Sequence, residues 1–393
     1  MPLSSRQERL SVFGTEKLMN APKHDVLVVG AGFAGAVMAE RLATQCNLRV
    51  LVVERRNHLA GNAHDAADAA GVILHHYGPH YFRTNSDRIV EYLSQFTEWR
   101  PVEYKILAWS DGRYWPFPIN LNTFEQLLGR TSSTEEMEET LAKWRVPIAN
   151  PANSEEVIIS QVGVPLYEKF FRNYTRKQWR REPRNLDAEV CGRIPIRTNR
   201  DDRYLSEKFQ ALPSEGYTRM FERMLSDPRI TVQLNTDYRE VQAMGECRHT
   251  VYSGALDEYF DRCFGSLPYR SLRFEPETLK REFYQPAMQV NYPNDHEFTR
   301  IVEIKHATGQ QIPVTTIVRE YPEDYGPGRE PYYPIPAPDA RAIYARYEEL
   351  AEMLKDVSFV GRLATYRYYN MDQVVGMSLM EFEKLRVKLG IKS

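Results

Sequence analysis

The sequence has no apolar run approaching membrane-spanning length, and Met1 to Lys23 mixes charged and polar residues without the apolar core of a signal peptide. A cytoplasmic protein without a membrane span is the expectation. An excess of charge of one sign is also missing: 51 Lys and Arg against 53 Asp and Glu leave a formal net charge of −2. No global basic field argues for nucleic acid, so anionic ligands must be met by local arginines. Cysteine is scarce. Cys46, Cys191, Cys247 and Cys263 are widely spaced and form no C-x-x-C pair, which argues against a disulfide frame or a zinc site. No metal is expected. Internal repeats and low-complexity linkers are absent as well.

What is present begins with length, since 393 residues allow a sizeable core and two or three domains. Tyrosine is abundant at 24 residues, beside 17 Phe and 5 Trp. Most of these serve a core, but such a surplus also suits a cavity that stacks and hydrogen-bonds a polar ligand.

Asp25 to Val29 reads as a buried parallel strand, and Gly30-Ala31-Gly32-Phe33-Ala34-Gly35 follows it. Ala36 to Thr44 carries small and apolar residues at helical spacing, and a second strand, Arg49 to Val53, ends on Glu54. This is a βαβ opening with an acid about 20 residues beyond the glycines, as a dinucleotide site requires. Gly30 permits the tight turn, Gly32 lets backbone approach a pyrophosphate, and Gly35 lets helix and strand pack closely. The helix N-terminus offers unpaired N–H groups to the phosphates, and Glu54 can accept from ribose hydroxyls. The motif alone leaves FAD and NAD open. Gly61-Asn62, after Arg55, forms a loop that many FAD proteins place against the phosphates. Late in the chain Gly361-Arg362 ends a strand and Asn370-Met371-Asp372-Gln373 opens a helix. That element either completes a discontinuous FAD domain or merely precedes a terminal helix.

Between these ends, residues 86–200 read as helical segments broken by prolines, with Val157 to Gln178 the clearest helix and Gly163-Val164-Pro165 its interruption. Arg181 to Ile196 reads as an exposed, mobile connection. From Ile230 onward β-type runs dominate: 230–234, 249–253, 287–292, 300–305 and 315–320. Tyr325 to Pro338 reads as loop, with a helix over 339–354 and a strand over 358–360 after it.

Several segments, in order, resemble the bacterial UDP-galactopyranose mutases. They include Gly78-Pro79-His80-Tyr81-Phe82-Arg83-Thr84-Asn85, Asn173-Tyr174-Thr175-Arg176-Lys177-Gln178-Trp179 and Arg193-Ile194-Pro195-Ile196-Arg197. Asn199 to Tyr204, Gly216-Tyr217-Thr218, Leu234 to Asp237, Tyr269 to Leu272, Phe298-Thr299-Arg300, Pro331 to Pro334 and Gly361 to Gln373 complete the resemblance.

The resemblance implies an α/β fold: a discontinuous Rossmann-type FAD-binding domain (25–85, 205–250, 340–393), a mainly helical domain (86–200, mobile near 181–195) and an antiparallel-sheet substrate domain (251–339). It implies reduced FAD as cofactor and a UDP-hexose as substrate. The reaction would be pyranose–furanose interconversion through a flavin N5–sugar adduct, without net redox change. A homo-oligomer is expected. Arg193 and Arg300 match the diphosphate arginines, and Tyr204, Tyr333 and Tyr368 the phosphate-binding tyrosines. Phe170 and Tyr174 fall where the uracil ring binds, Thr175 is counted among the substrate-binding residues, and Trp179 and Asn291 fall beside the sugar. His80, Arg83 and Asn370 border flavin and sugar, with His80 and Arg83 counted among the catalytic residues. Cofactor contacts are expected from Gly30, Gly32, Phe33, Ala34, Gly35, Glu54, Arg55, Gly61, Asn62, His80, Gly361, Arg362, Tyr369, Asn370, Met371 and Asp372.

The chain also departs from the family pattern. Arg83 replaces a second histidine, Ala60 a glycine, His64 a tyrosine and Leu205 a phenylalanine. These changes bear on which nucleotide sugar is used, with a dTDP-linked deoxyhexose or a UDP-N-acetylhexosamine as alternatives. An FAD oxidoreductase and a non-catalytic nucleotide-sugar binder are the competing classes.

Overall fold

The computed structural model describes residues 24–242, 247–335 and 337–391. The leader Met1 to Lys23, read above as free of an apolar core, lies outside them. Among the described residues no helix is long and apolar enough to cross a membrane, and no cluster suited to a metal ion occurs.

Val26–Val29 and Val50–Val53 are continuous β-branched and leucine runs, as strands covered on both faces must be. They lie at the centre of a five-stranded parallel sheet ordered Ile230–Gln233, Val50–Val53, Val26–Val29, His249–Tyr252, Val357–Phe359. The helix Phe33–Cys46 crosses between the first two strands. Its alanines Ala34, Ala36, Ala39 and Ala43 are buried, so small side chains set its close approach to the sheet. The last helix, Met371–Lys388, packs on it through Val375, Leu379 and Phe382. Val357–Phe359 thus returns the late glycine element to the opening βαβ unit. Segments far apart in sequence thus share one sheet, and the late glycine element does more than precede the terminal helix.

A seven-stranded, mostly antiparallel sheet stands beside it, ordered Tyr333–Pro334, Tyr269–Leu279, Thr315–Asp324, Arg300–Val302, Gln289–Asn291, Ile106–Ser110, Arg113–Phe117. The pair Gln289–Asn291 and Ile106–Ser110 is its one parallel pairing among the described residues. Three of these strands correct the sequence reading. The hairpin Ile106–Ser110/Arg113–Phe117 lies inside the stretch read as mainly helical, yet it extends the sheet. Tyr269–Leu279 was not read as a strand at all, because Pro276 and four charged residues interrupt its apolar pattern. It nonetheless pairs with Thr315–Asp324 along ten residues. A third sheet joins Phe82–Thr84 and Trp99–Pro101 to Phe209–Pro213.

The helical layer is punctuated by side-chain caps. Asn120, Ser133 and Asn153 accept backbone N–H groups at the starts of Leu121–Leu128, Thr134–Trp144 and Ser154–Phe170. Ser154–Phe170 breaks at Gly163, where φ is +77° and a Cβ would lie 2.3 Å from the Trp144 carbonyl oxygen. Only glycine fits there. Arg172–Trp179 follows after the kink at Phe171. The segment after it differs from the exposed connection expected. It forms a short helical turn, Pro183–Asn185, and a helix, Glu189–Gly192, with Pro183, Leu186, Val190 and Cys191 buried.

Candidate active site

The carboxyl ends of the five parallel strands open onto one cavity of about 620 Å³. Ligands of open α/β sheets bind at that edge. Gly30 turns at φ +97°, and a Cβ on Gly35 would sit 1.9 Å from the Gly30 carbonyl oxygen. The loop can therefore meet the helix only without side chains at these points. Glu54 is buried and holds the loop: its Oε2 accepts from the Ala31 N–H at 3.0 Å and its Oε1 from Arg56 at 3.0 Å. Gly61 lies against Gly32, and Gly361 against Ala34, so three glycine elements converge on one groove.

Of the expected cofactor residues, Gly30, Gly32, Phe33, Ala34, Glu54, Arg55, Gly61, Asn62, His80, Gly361, Arg362, Tyr369 and Met371 line this cavity. Gly35, Asn370 and Asp372 do not. Gly35 is packing, and Asn370 caps the last helix, its N–H donating 2.9 Å to Gln373. Asp372 lies in that helix's first turn. Thr236 to Arg239 and Ser253 to Ala255 also line the cavity; Thr236 and Asp237 lie in a segment of the family resemblance, but none of the seven is among the expected cofactor residues. They follow the C-terminal ends of two sheet strands, a signal that appears only once strand order is known. Arg56 lines it too, stacked 4.3 Å over Tyr77 and paired at 3.0 Å with Glu330, which also binds Arg55.

His80 sits at the inner wall. Its Nδ1 is 2.8 Å from the Gly78 carbonyl oxygen, so it donates there and Nε2 carries the lone pair. Burial pushes its pKa down to about 3, with His75, Arg362 and Arg300 acting in the same direction. The imidazole is neutral at pH 7. By surface area His80 is half-buried, but part of what it exposes is cavity wall.

Next to Arg362 a second cluster gathers side chains from six distant segments. Tyr333 and Tyr368 stack with ring centroids 5.5 Å apart, Trp179 leans on both at 6.4 and 6.5 Å, and Arg362 lies 5.2 Å over Tyr333. Arg193 lies 4.3 Å over Tyr368. Desolvation at the Tyr368 hydroxyl would raise it, although the residue is 37% exposed, but Arg193 and Arg362 outweigh it and lower its pKa. Burial pushes Tyr333 up to about 12. Arg300 is mostly buried: its Nε and Nη2 donate 2.8 and 2.7 Å to Oε2 of Glu320, which is 1% exposed. Tyr174 and Tyr204 complete the group, both electrostatically coupled to Arg300.

Four expectations come out differently. Phe170 offers no free face for a base, because its ring is buried against Trp115 and Phe117 at 5.7 and 6.1 Å. Thr175 is buried and turns toward Cys191. Asn291 is 8% exposed, and its Oδ1 accepts from Gln289, itself bound by the Tyr104 hydroxyl. Arg83 does not line the cavity; it pairs at 3.1 Å with Glu207 and donates 3.0 Å to Asn370.

Residues 169–368 match the family model described as UDP-galactopyranose mutase, and residues 28–96 match the NAD(P)-binding Rossmann-like domain. The chain belongs to the UDP-galactopyranose mutase family. It is 36% identical over 359 residues to a probable UDP-galactopyranose mutase of Klebsiella pneumoniae, covering 90% of this chain and 93% of the relative. It is 33% identical over 356 residues to a dTDP-fucopyranose mutase of Escherichia coli, covering 88% and 94%. A crystal structure of reduced UDP-galactopyranose mutase superposes with a TM-score of 0.73 at 15% identity, covering 95% of both chains. A putrescine oxidase shares the fold at a TM-score of 0.58 and 14% identity, over 93% of this chain and 99% of that one. Family membership makes this chain a flavin-dependent isomerase of nucleotide sugars.

Proposed function

We propose that this chain uses FAD in its reduced form to interconvert UDP-galactopyranose and UDP-galactofuranose. The observation that carries the reading is the meeting of Arg193, Arg300, Tyr174, Tyr204, Tyr333 and Tyr368 beside the dinucleotide cavity. FAD fits the residues present. The side-chain-free groove at Gly30, Gly32 and Gly61 suits a pyrophosphate, Glu54 a ribose, and the cavity volume a ligand of that class. When bound, reduced flavin supplies a nucleophile for the anomeric carbon and recovers its electrons within the cycle.

The chain's own groups do the rest. Arg193 and Arg300 hold the diphosphate as its charge grows on leaving and keep it for return. Glu320 fixes the Nε–Nη2 edge of Arg300 and leaves the Nη1 edge for the ligand. Tyr368, acidified by Arg193, is the strongest hydroxyl donor of the group. His80 keeps its proton on Nδ1 and presents an acceptor at Nε2 to the cavity. Trp179 and the tyrosine pair exclude water from the sugar.

The test is to incubate dithionite-reduced protein with UDP-galactofuranose and resolve the products by chromatography. Pyranose should form without net consumption of NAD(P)H. The dTDP-fucopyranose mutase relative favours a second reading, so dTDP-fucofuranose belongs in the same experiment. Conversion of neither sugar, with oxygen uptake instead, would point to an oxidase.

A further inference from the structure

We infer that Lys177 is a positioning residue of this site, clamping the helix that bears Tyr174 and Trp179 to the turn that joins Asn291 to Arg300. The inference rests on the nucleotide-sugar reading above and adds a residue that neither lines the cavity nor belongs to the arginine and tyrosine cluster.

The turn is closed at its base by the Tyr292 N–H donating 2.8 Å to the Thr299 carbonyl, just beyond the paired residues Asn291 and Arg300. Its tip, Asn294 to Glu297, is exposed. Lys177 comes from the opposite side and donates to three carbonyls of this one turn: Tyr292, His296 at 2.8 Å and Phe298 at 3.1 Å. An ammonium has three donors and no acceptor, so the set is complete. No carboxylate pairs with Lys177 among the described residues; its charge is held by peptide dipoles. Burial pushes its pKa down to about 8, against the opposing pull of Asp295 in the same turn. Converging carbonyls with no counterion suit a compact ammonium, whereas a planar guanidinium fork does not converge on three points.

The two elements so joined are more than a hundred residues apart in sequence, and each supplies a different half of the site. Lys177 lies three residues after Tyr174 and two before Trp179 on a short helix, so fixing its ammonium fixes both rings. The turn in turn sets Arg300, whose strand neighbour Thr299 donates its N–H 2.9 Å to the Glu320 carbonyl. One weaker tie runs in parallel, from Asn173 Nδ2 to Asn294 Oδ1 at 3.0 Å.

The test compares Lys177→Met, Lys177→Gln and Asn173→Ala with the parent holoenzyme. UDP binding is read by flavin-fluorescence titration, steady-state kinetics with the nucleotide sugar, and flavin potential by dye equilibration. Lys177→Met should raise the UDP Kd and the KM about tenfold or more while kcat stays within about threefold, since the clamp orders ground-state and transition-state contacts alike. Asn173→Ala should stay within about twofold, as befits a neutral exposed tie. Flavin content and potential should not move. In a double-mutant cycle with Arg300→Ala, the two losses should be less than additive. Parent-like UDP affinity in a folded Lys177→Met variant, or strict additivity, overturns the clamp. Should that variant not fold, Lys177→Gln, one bond shorter but with two donors, carries the same criteria. A parent protein that binds neither UDP nor dTDP would instead overturn the site reading itself.

Discussion

Arg193 and Arg300 take the same part in the proposed reaction, yet they differ in what they cost the fold. Arg193 lies against the Tyr368 ring without a carboxylate partner among the described residues, whereas Arg300 neutralises the buried Glu320, whose Oε1 has no hydrogen-bond partner. Arg193→Ala and Arg300→Ala should each lower kcat/KM by about 2–5 kcal/mol of transition-state stabilisation. Only Arg300→Ala should also lose fold stability, on the order of 3–5 kcal/mol, because it strands a buried carboxylate. Paired kinetic and denaturant-unfolding measurements check both, and equal stability of the two variants would deny the Glu320 role. Ala60 gives a second test at this scale. It occupies φ +71°, where the family pattern has glycine. Left-handed backbone strains an alanine by roughly 1–2 kcal/mol, partly offset by glycine's greater unfolded entropy. Ala60→Gly should therefore raise the unfolding free energy by about 0.5–1 kcal/mol; a lower melting temperature would show the buried methyl to matter more. Motif matching found these residues but not their partners. The motif placed Arg83 beside flavin and sugar, while its partners, Glu207 by ion pair and Asn370 by hydrogen bond, come from distant segments.

At the scale of elements, the segment after Trp179 leads directly to Arg193. Two ion pairs tie it to the helix Pro338–Met353, Arg181 with Asp339 at 3.1 Å and Asp187 with Arg341. Both are largely exposed, and such pairs contribute about 0–1 kcal/mol and weaken with salt. Those pairs add little to what the buried Pro183, Leu186, Val190 and Cys191 already hold, and a bound diphosphate on Arg193 should hold the segment more firmly. Limited trypsin digestion should cut near Arg181 and Arg184 more slowly with UDP present, and faster at high salt without it. Identical digestion with and without UDP would show that the segment does not close on the ligand. Periodicity made the helices and the kink at Gly163 legible, because proline and glycine act locally. The apolar side chains of 181–192 were hidden by the charges around them, and Tyr269–Leu279 by Pro276; in both, burial depends on partners far along the chain.

For the whole molecule, the opening βαβ unit was readable because its glycines, helix and acid lie within thirty residues, whereas the strand order needs pairings across three hundred. That closure buries histidines, with a consequence for acid stability. Burial lowers the pKa of His75 and His80 to about 3, and that of His64 and His249 to about 4, all from an ordinary 6.5. The folded state thus binds fewer protons than the unfolded chain between roughly pH 3 and 6.5. Stability from these groups is fully present above pH 6.5 and is lost as the pH falls through that window. A fully buried histidine such as His75 contributes at most about 1.4 kcal/mol per pH unit there, and the more exposed His64 and His80 contribute less. Carboxylates lowered by arginine, such as Asp201, add to the loss only below about pH 4. The urea midpoint should accordingly begin to drop near pH 6, well before carboxylates protonate. His75→Gln should shallow that slope even if it costs stability at pH 7. A midpoint that stays flat from pH 7 to pH 5 would mean that these imidazoles reach water in the folded protein, and that His80 is not held neutral at the cavity wall.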